Sequence, residues 1–302
     1  DLFYDCHRPC MFNVRSGRWF NGIIGWQSVD RAMNHIFPPS VFSILIIFIV
    51  GAVVGSFLNV CISRIPKGES VIHPPSHCPK CRTPIPFLYN IPLLSYLLLP
   101  GRCCSCGERI SFRYFAVELL MASLAVLLLY QFGLGLAFIV GFVFVAGLIV
   151  ISFIDLDVRI VPDVISLPGI VIGLVFSVIG HYFIHDSLDV VPTPLGSLAG
   201  VLAGGGFLLA VAWIYEKFTG VEGMGGGDIK LLAMIGAFLG WPSIPLTLFF
   251  SSLGGSIIGL SIMLVKGVDR RYALPFAPFL CLGALVYLFF GREIIDFYVF
   301  SR

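Results

Sequence analysis

Charge is what this sequence has least of. Asp, Glu, Lys and Arg make up 12% of its 302 residues and hydrophobic types 58%, where a soluble domain carries about a quarter charged residues. With a mean hydropathy of +0.97, that shortage excludes an ordinary soluble domain and makes the chain a polytopic membrane protein. Neither sign is in excess: the net charge is +2, and in a membrane protein the placement of charge says more than its sum. The lipid bilayer is the expected partner surface, and no nucleic acid is expected. Also missing are an internal repeat at a fixed period, a low-complexity segment and, in residues 1–32, the apolar core of a secretory signal peptide. Those first residues are mixed in character and Met33 is the expected natural start, so 1–32 is set apart as an external extension or fusion segment.

Apolar runs of about 17 to 25 residues, the length a helix needs to cross the hydrocarbon, occur at 41–62, 115–130, 136–154, 164–180, 195–215, 244–265 and 274–291. An eighth run, 231–241, is short and recovers length only by starting at Asp228, inside the stretch "GMGGGDIK". The expected fold is all-α with about eight transmembrane helices. If the loop between the first two helices is cytoplasmic, eight crossings put thirteen lysines and arginines from Arg64 to Arg271 inside and leave Arg292 and Arg302 outside, a strong positive-inside bias. The expected organisation is a first transmembrane helix within 33–62, a cytoplasmic loop at 63–113, a transmembrane core at 114–291 and an external tail at 292–302.

The cytoplasmic loop holds "CPKC" at Cys78 to Cys81 and "CCSC" at Cys103 to Cys106. Two C-x2-C knuckles, 21 residues apart, supply four thiolates for a tetrahedral structural zinc site through Cys78, Cys81, Cys103 and Cys106. Redox or unliganded thiols are the alternative, and Cys104 is a competing ligand. The apolar spacer between the pairs is broken by Pro86, Asn90 and Pro92, and a single span there would put the pairs on opposite sides of the membrane. It is expected to lie on the interface. Cys61 and Cys281 read as small core residues.

An ionisable group at membrane depth is costly and is a functional candidate by default. The acids in or at the ends of the apolar runs are Glu118, Asp155, Asp157, Asp163, Glu222 and Asp228. Asp155 ends an unbroken apolar run, Asp228 opens the short one, and the topology puts both at the cytoplasmic ends of their helices. Two carboxylates brought together do not both ionise readily. One can take a proton from water attacking a peptide carbonyl while the other, protonated, polarises that carbonyl, which is aspartic-protease chemistry. Gly225 and Gly227 beside Asp228 would admit an extended substrate backbone, whereas helix capping alone would not need them. Asp157 reads as an interfacial carboxylate near Arg159, Asp163 as an N-cap, and Glu118 as the partner of a neighbouring arginine. Glu222 either lines the path of the substrate or is a solvated loop residue.

Two rivals remain. A proton-coupled secondary transporter using Asp155 and Asp228 would need a polar path continuing to the external side, where ionisable residues are scarce. A phosphate cradle would need the G-x-x-x-x-G-K-[ST] spacing, which "GMGGGDIK" lacks.

"GMGGGDIKLLAMIGAFLGW" resembles the GxGD motif of the type IV prepilin peptidases, a family of intramembrane aspartic proteases, with Gly225, Gly227 and Asp228 on the motif positions. "IDLDVRIVPDVISLP" is similar to the family's other aspartate motif and places its first Asp on Asp155. The resemblance extends through "GSFLNVCISRIP", "PPSHCPKC", "NIPLLSYLLLPGRC" and "SFRYFAVELL", roughly from Met33 to Gly291. It implies a protein of the bacterial inner membrane that cleaves the short basic leader of type IV prepilins and pseudopilins at the cytoplasmic face. In members with the four-cysteine loop it further implies N-methylation of the new terminus with S-adenosylmethionine, with Glu69 in the loop the one residue singled out for that activity.

Overall fold

In hydrocarbon every backbone N–H and C=O must be satisfied within its own segment, so long apolar runs become helices. The computed structural model describes residues 39–73, 75, 78, 80–81, 83–84, 91–98, 101–183, 192–220, 225–266 and 275–300, all within one compact unit, Pro39–Arg302. The expected 1–32 extension lies outside the described residues. The helices are α1 (Val41–Arg64), α2 (Leu94–Leu98), α3 (Phe112–Phe132), α4 (Leu136–Val158), α5 (Asp163–Phe183), α6 (Pro194–Thr219), α7 (Gly226–Leu239), α8 (Ser243–Lys266) and α9 (Ala277–Phe300). Ser40, Ser111 and Thr193 cap α1, α3 and α6 by accepting from backbone N–H groups in the first turn, which serves donors that a helix start leaves unpaired.

Seven of these helices, all except α2 and α7, are long and apolar enough to cross a membrane, and the chain is a multi-pass membrane protein. The eighth expected segment is α7. At 14 residues it is about 21 Å long, short of the roughly 30 Å hydrocarbon core. It has no need to meet lipid, because every residue from Leu231 to Leu239 is buried. α7 is an interior strut enclosed by the longer helices.

Glycine lets the neighbours close on it. A Cβ added to Gly204 of α6 would lie 2.6 Å from the Leu232 carbonyl oxygen, and Gly200 and Gly236 pack backbone to backbone with no room for a side chain on either. Gly173 of α5 approaches α7 in the same way, where a Cβ would come within 2.9 Å of Ala237 Cβ. Ser197 adds a hydrogen bond from its hydroxyl to the Ala237 carbonyl at 2.6 Å. α1 is tied to α3 by the same device, since Cβ atoms on Gly51 and Gly55 would each lie 2.7 Å from a Cα of α3. Apolar surface gives helices in lipid little reason to associate, so close backbone approach and interhelical hydrogen bonds carry the packing.

Three of the shifted boundaries change how a residue or segment is read. α4 continues to Val158, so Asp155 and Asp157 lie in its last turn, and Arg159 ends it with a left-handed backbone at φ 58°. α5 begins at Asp163, which is therefore a first-turn residue and not the cap before it. α9 runs on to Phe300, so most of the expected 292–302 tail is helical.

Candidate functional site

Asp155 sits in the last turn of α4 and Asp228 in the first turn of α7, where Gly225 is the N-cap residue. The fold brings them together: each carboxylate lies within range of the other's charge, and the buried Cys281 of α9 lies within range of both. Asp155 is 5% exposed, and its Oδ2 accepts from the N–H of Ala277, the first residue of α9, at 3.2 Å. Cys281 also lies beside Ser152 of α4. The sequence reading left both α9 residues out of the site. Their only signal there was a cysteine in an apolar run.

The three glycines ahead of Asp228 do different jobs. A Cβ on Gly227 would lie 2.7 Å from Val161 Cβ, so that position must be glycine for α7 to approach the segment after α4. Cβ atoms on Gly225 and Gly226 would meet nothing, and both residues are exposed. This leaves open space beside Asp228. Glu222 lies outside the described residues.

The remaining acids have partners that the sequence did not identify. Asp157, exposed as expected, pairs with Arg113 at the start of α3. Asp163 pairs with Lys230 of α7 at 2.7 Å, closing α5 onto α7 two residues after Asp228. Glu118 accepts from the Leu93 N–H at 2.7 Å, where an arginine partner was expected. That bond pins the start of α2 to α3, and Tyr96 of α2 packs against Phe112 and Phe115 of α3. The described end of the spacer therefore docks on the helix bundle.

The four expected cysteines form one cluster, with all Sγ atoms within 4.8 Å of one another. Cys78 and Cys106 are 3.8 Å apart, and Cys81 and Cys103 are 4.0 Å apart. A tetrahedral ion with metal–sulfur bonds of about 2.3 Å needs sulfurs about 3.8 Å from each other, so the cluster fits a metal ion. Both knuckles close alike: the N–H of Cys78 reaches the Thr83 carbonyl and that of Cys103 the Glu108 carbonyl, at 3.0 and 2.8 Å. Gly107 supplies the left-handed turn at φ 70° in the second. Hydrogen bonds from the Thr83 hydroxyl and then its backbone N–H pull the Cys81 thiol down to about 6, and the Cys106 and Ser105 N–H groups lower Cys103 as well. Donors of this kind favour the thiolate, the form that binds a metal. Cys104 is exposed and lies outside the cluster, next to the Ser105 hydroxyl.

A cavity of about 200 Å³ lies between α4, α5 and α7, and another of about 530 Å³ lies between α8 and α9. Both are apolar apart from Glu293 in the second, and neither is lined by Glu69 or the cysteine loop. Neither fits S-adenosylmethionine, whose carboxylate, amine and adenine need polar partners. Glu69 is exposed on the turn after α1, its N–H bonded to the Arg64 carbonyl.

Comparison with known proteins gives a consistent result. Residues 49–132 match the bacterial peptidase A24 N-terminal domain, and residues 142–260 match the type IV leader peptidase family. The chain is 35% identical to a prepilin leader peptidase/N-methyltransferase of Aeromonas salmonicida, over 88% of this chain and 97% of that one. It is 35% identical to the protein of that name from Pseudomonas aeruginosa, over 90% and 97%, and 36% identical to that from Neisseria gonorrhoeae, over 84% and 93%. No solved structure matches. With both halves of the chain covered and relatives aligned almost end to end, this protein belongs to the type IV leader peptidase family.

Proposed function

We infer that this protein is a membrane aspartic endopeptidase that removes the leader of type IV prepilins and pseudopilins and methylates the amine it exposes. The observation that carries the protease reading is the meeting of Asp155 and Asp228, from segments 73 residues apart, at the charged end of the helix bundle. The relatives' names support both activities. A proton-coupled transporter is not supported, since nothing in the family or its named relatives points to transport.

In the proposed mechanism one carboxylate of the dyad takes a proton from a water as its oxygen adds to the scissile carbonyl. The other, protonated, hydrogen-bonds the carbonyl oxygen and stabilises the charge that develops there. Collapse of the tetrahedral intermediate passes a proton to the leaving nitrogen, giving a leader with a new carboxylate and a mature chain with a new amine. The open space at Gly225 and Gly226 lets the leader's extended backbone reach Asp228, and Glu222, six residues earlier in the sequence, suits a basic leader. We place the site at the cytoplasmic face of the bacterial inner membrane, on the strength of the positive-inside bias.

Cys78, Cys81, Cys103 and Cys106 would hold zinc, which cross-links the two knuckles and takes no part in cleavage. S-adenosylmethionine is the methyl donor that the methyltransferase activity requires, and Glu69 is the residue proposed to take part.

The test is leader removal from a purified prepilin by the wild type, Asp155→Asn and Asp228→Asn. Both variants are expected to leave the leader in place. Full removal by either one sinks the dyad.

A further inference from the structure

A dyad works only if its two carboxylates are held in register, and at Asp155 part of the hold comes from another helix. The Ala277 N–H reaches Asp155 Oδ2 in a buried setting. It is among the first N–H groups of α9, which a helix leaves without an intrahelical acceptor. The Phe276 carbonyl just ahead is already taken by the N–H groups of Phe279 and Leu280, at 3.0 and 3.2 Å. The next residue, Pro278, has no N–H to offer. Of the first two residues of α9, Ala277 alone can donate, and its donor is spent on Asp155. One turn further along, Cys281 packs within range of both carboxylates and beside Ser152 on the helix that carries Asp155. The first turn of α9 is thus a wall of the site.

We propose that Ala277 is a positioning residue for the dyad, its backbone N–H holding Asp155 Oδ2 so that the other carboxylate oxygen is presented to Asp228 and to the attacking water. The role rests on the assignment of Asp155 and Asp228 as the dyad. It belongs to the backbone, so a small side chain at the fully buried position 277 would preserve it and proline would remove it.

The experiment compares the full-length wild type with Ala277→Pro, Ala277→Ser and Asp155→Asn in a prepilin cleavage assay. Proline suits the first position of a helix, so Ala277→Pro deletes the donor and is expected to leave α9 in place. Its kcat should fall on the order of 10- to 100-fold, the scale of a misplaced catalytic group, while KM and the thermal transition stay at wild-type values. Ala277→Ser, which keeps the N–H, should restore kcat. A wild-type kcat in Ala277→Pro with Asp155→Asn inactive overturns the positioning role alone, as does an equal loss of kcat in Ala277→Ser. Leader removal by Asp155→Asn overturns the dyad and the positioning role with it. Hydrogen exchange provides a readout that does not depend on the proline variant folding: the Ala277 amide should exchange faster in Asp155→Ala than in the wild type, and unchanged exchange refutes the bond.

Discussion

Asp155 and Asp228 stand in a helix bundle whose members meet by close backbone approach, whereas the four cysteines stand on two short turns. Around the carboxylates, α7 is buried from Leu231 to Leu239 and meets α6 where Gly200 and Gly236 leave no room for a Cβ. In the cysteine loop, Cys78 is the one described residue between 65 and 111 that belongs to the buried apolar core. The two sites must therefore get their geometry from different sources. A centre built into a helix bundle inherits its precision from packing. A centre on two short turns would get it from a metal ion held between them.

Three changes would break or sharpen that contrast, taken from the largest expected effect to the smallest. Gly236→Val puts a side chain against the α6 backbone, a small-to-large change in a packed interior that costs about 1–3 kcal/mol or more. It should abolish leader removal by displacing α7 while leaving the metal content of the loop unchanged. Loss of metal together with activity would show that the two centres are one folding unit. Cys78→Ser should do the reverse, with bound metal falling by elemental analysis and cleavage reduced but still measurable. A metal content equal to the wild type would count against a four-thiolate site. Lys230→Ala removes the partly exposed pair with Asp163, whose worth is about 1 kcal/mol or less. A change of less than about twofold in cleavage is expected, and a loss as deep as that of Gly236→Val would mean that this pair, and not glycine packing, seats α7.

The two regions also differ in how much of them could be read from the sequence. Cys78, Cys81, Cys103 and Cys106 declare their cluster by spacing, because a knuckle is a local turn and its ligands lie within four residues of each other. The carboxylates at Asp155 and Asp228 were legible for another reason: charge is so rare in the apolar runs that its position fixes a depth. Depth does not name neighbours, however. Asp157 was read as an interfacial carboxylate and does lie exposed, but its partner Arg113 on another helix was not foreseen, and Asp163 was taken for a cap but reaches across to Lys230. Glu118 was given an arginine and takes a backbone N–H. The glycines at 200, 204 and 236 carried no recognisable signal, because a glycine needed for close approach and one needed for flexibility are the same letter. The shortness of α7 was visible, yet the burial of its Leu231–Leu239 stretch depends on those glycines and so emerged only in the fold. Ala277 could not have been found from its side chain at all, since what it contributes is a backbone N–H.

The central claim is that Asp155 and Asp228 act as one unit, and it is tested most directly by single-turnover leader cleavage in Asp155→Asn, Asp228→Asn and the double variant. Residues that work together lose nearly everything at the first substitution, so the double variant should be no slower than either single one. Losses that multiply, each single variant keeping part of the rate and the double falling to their product, would contradict a shared dyad.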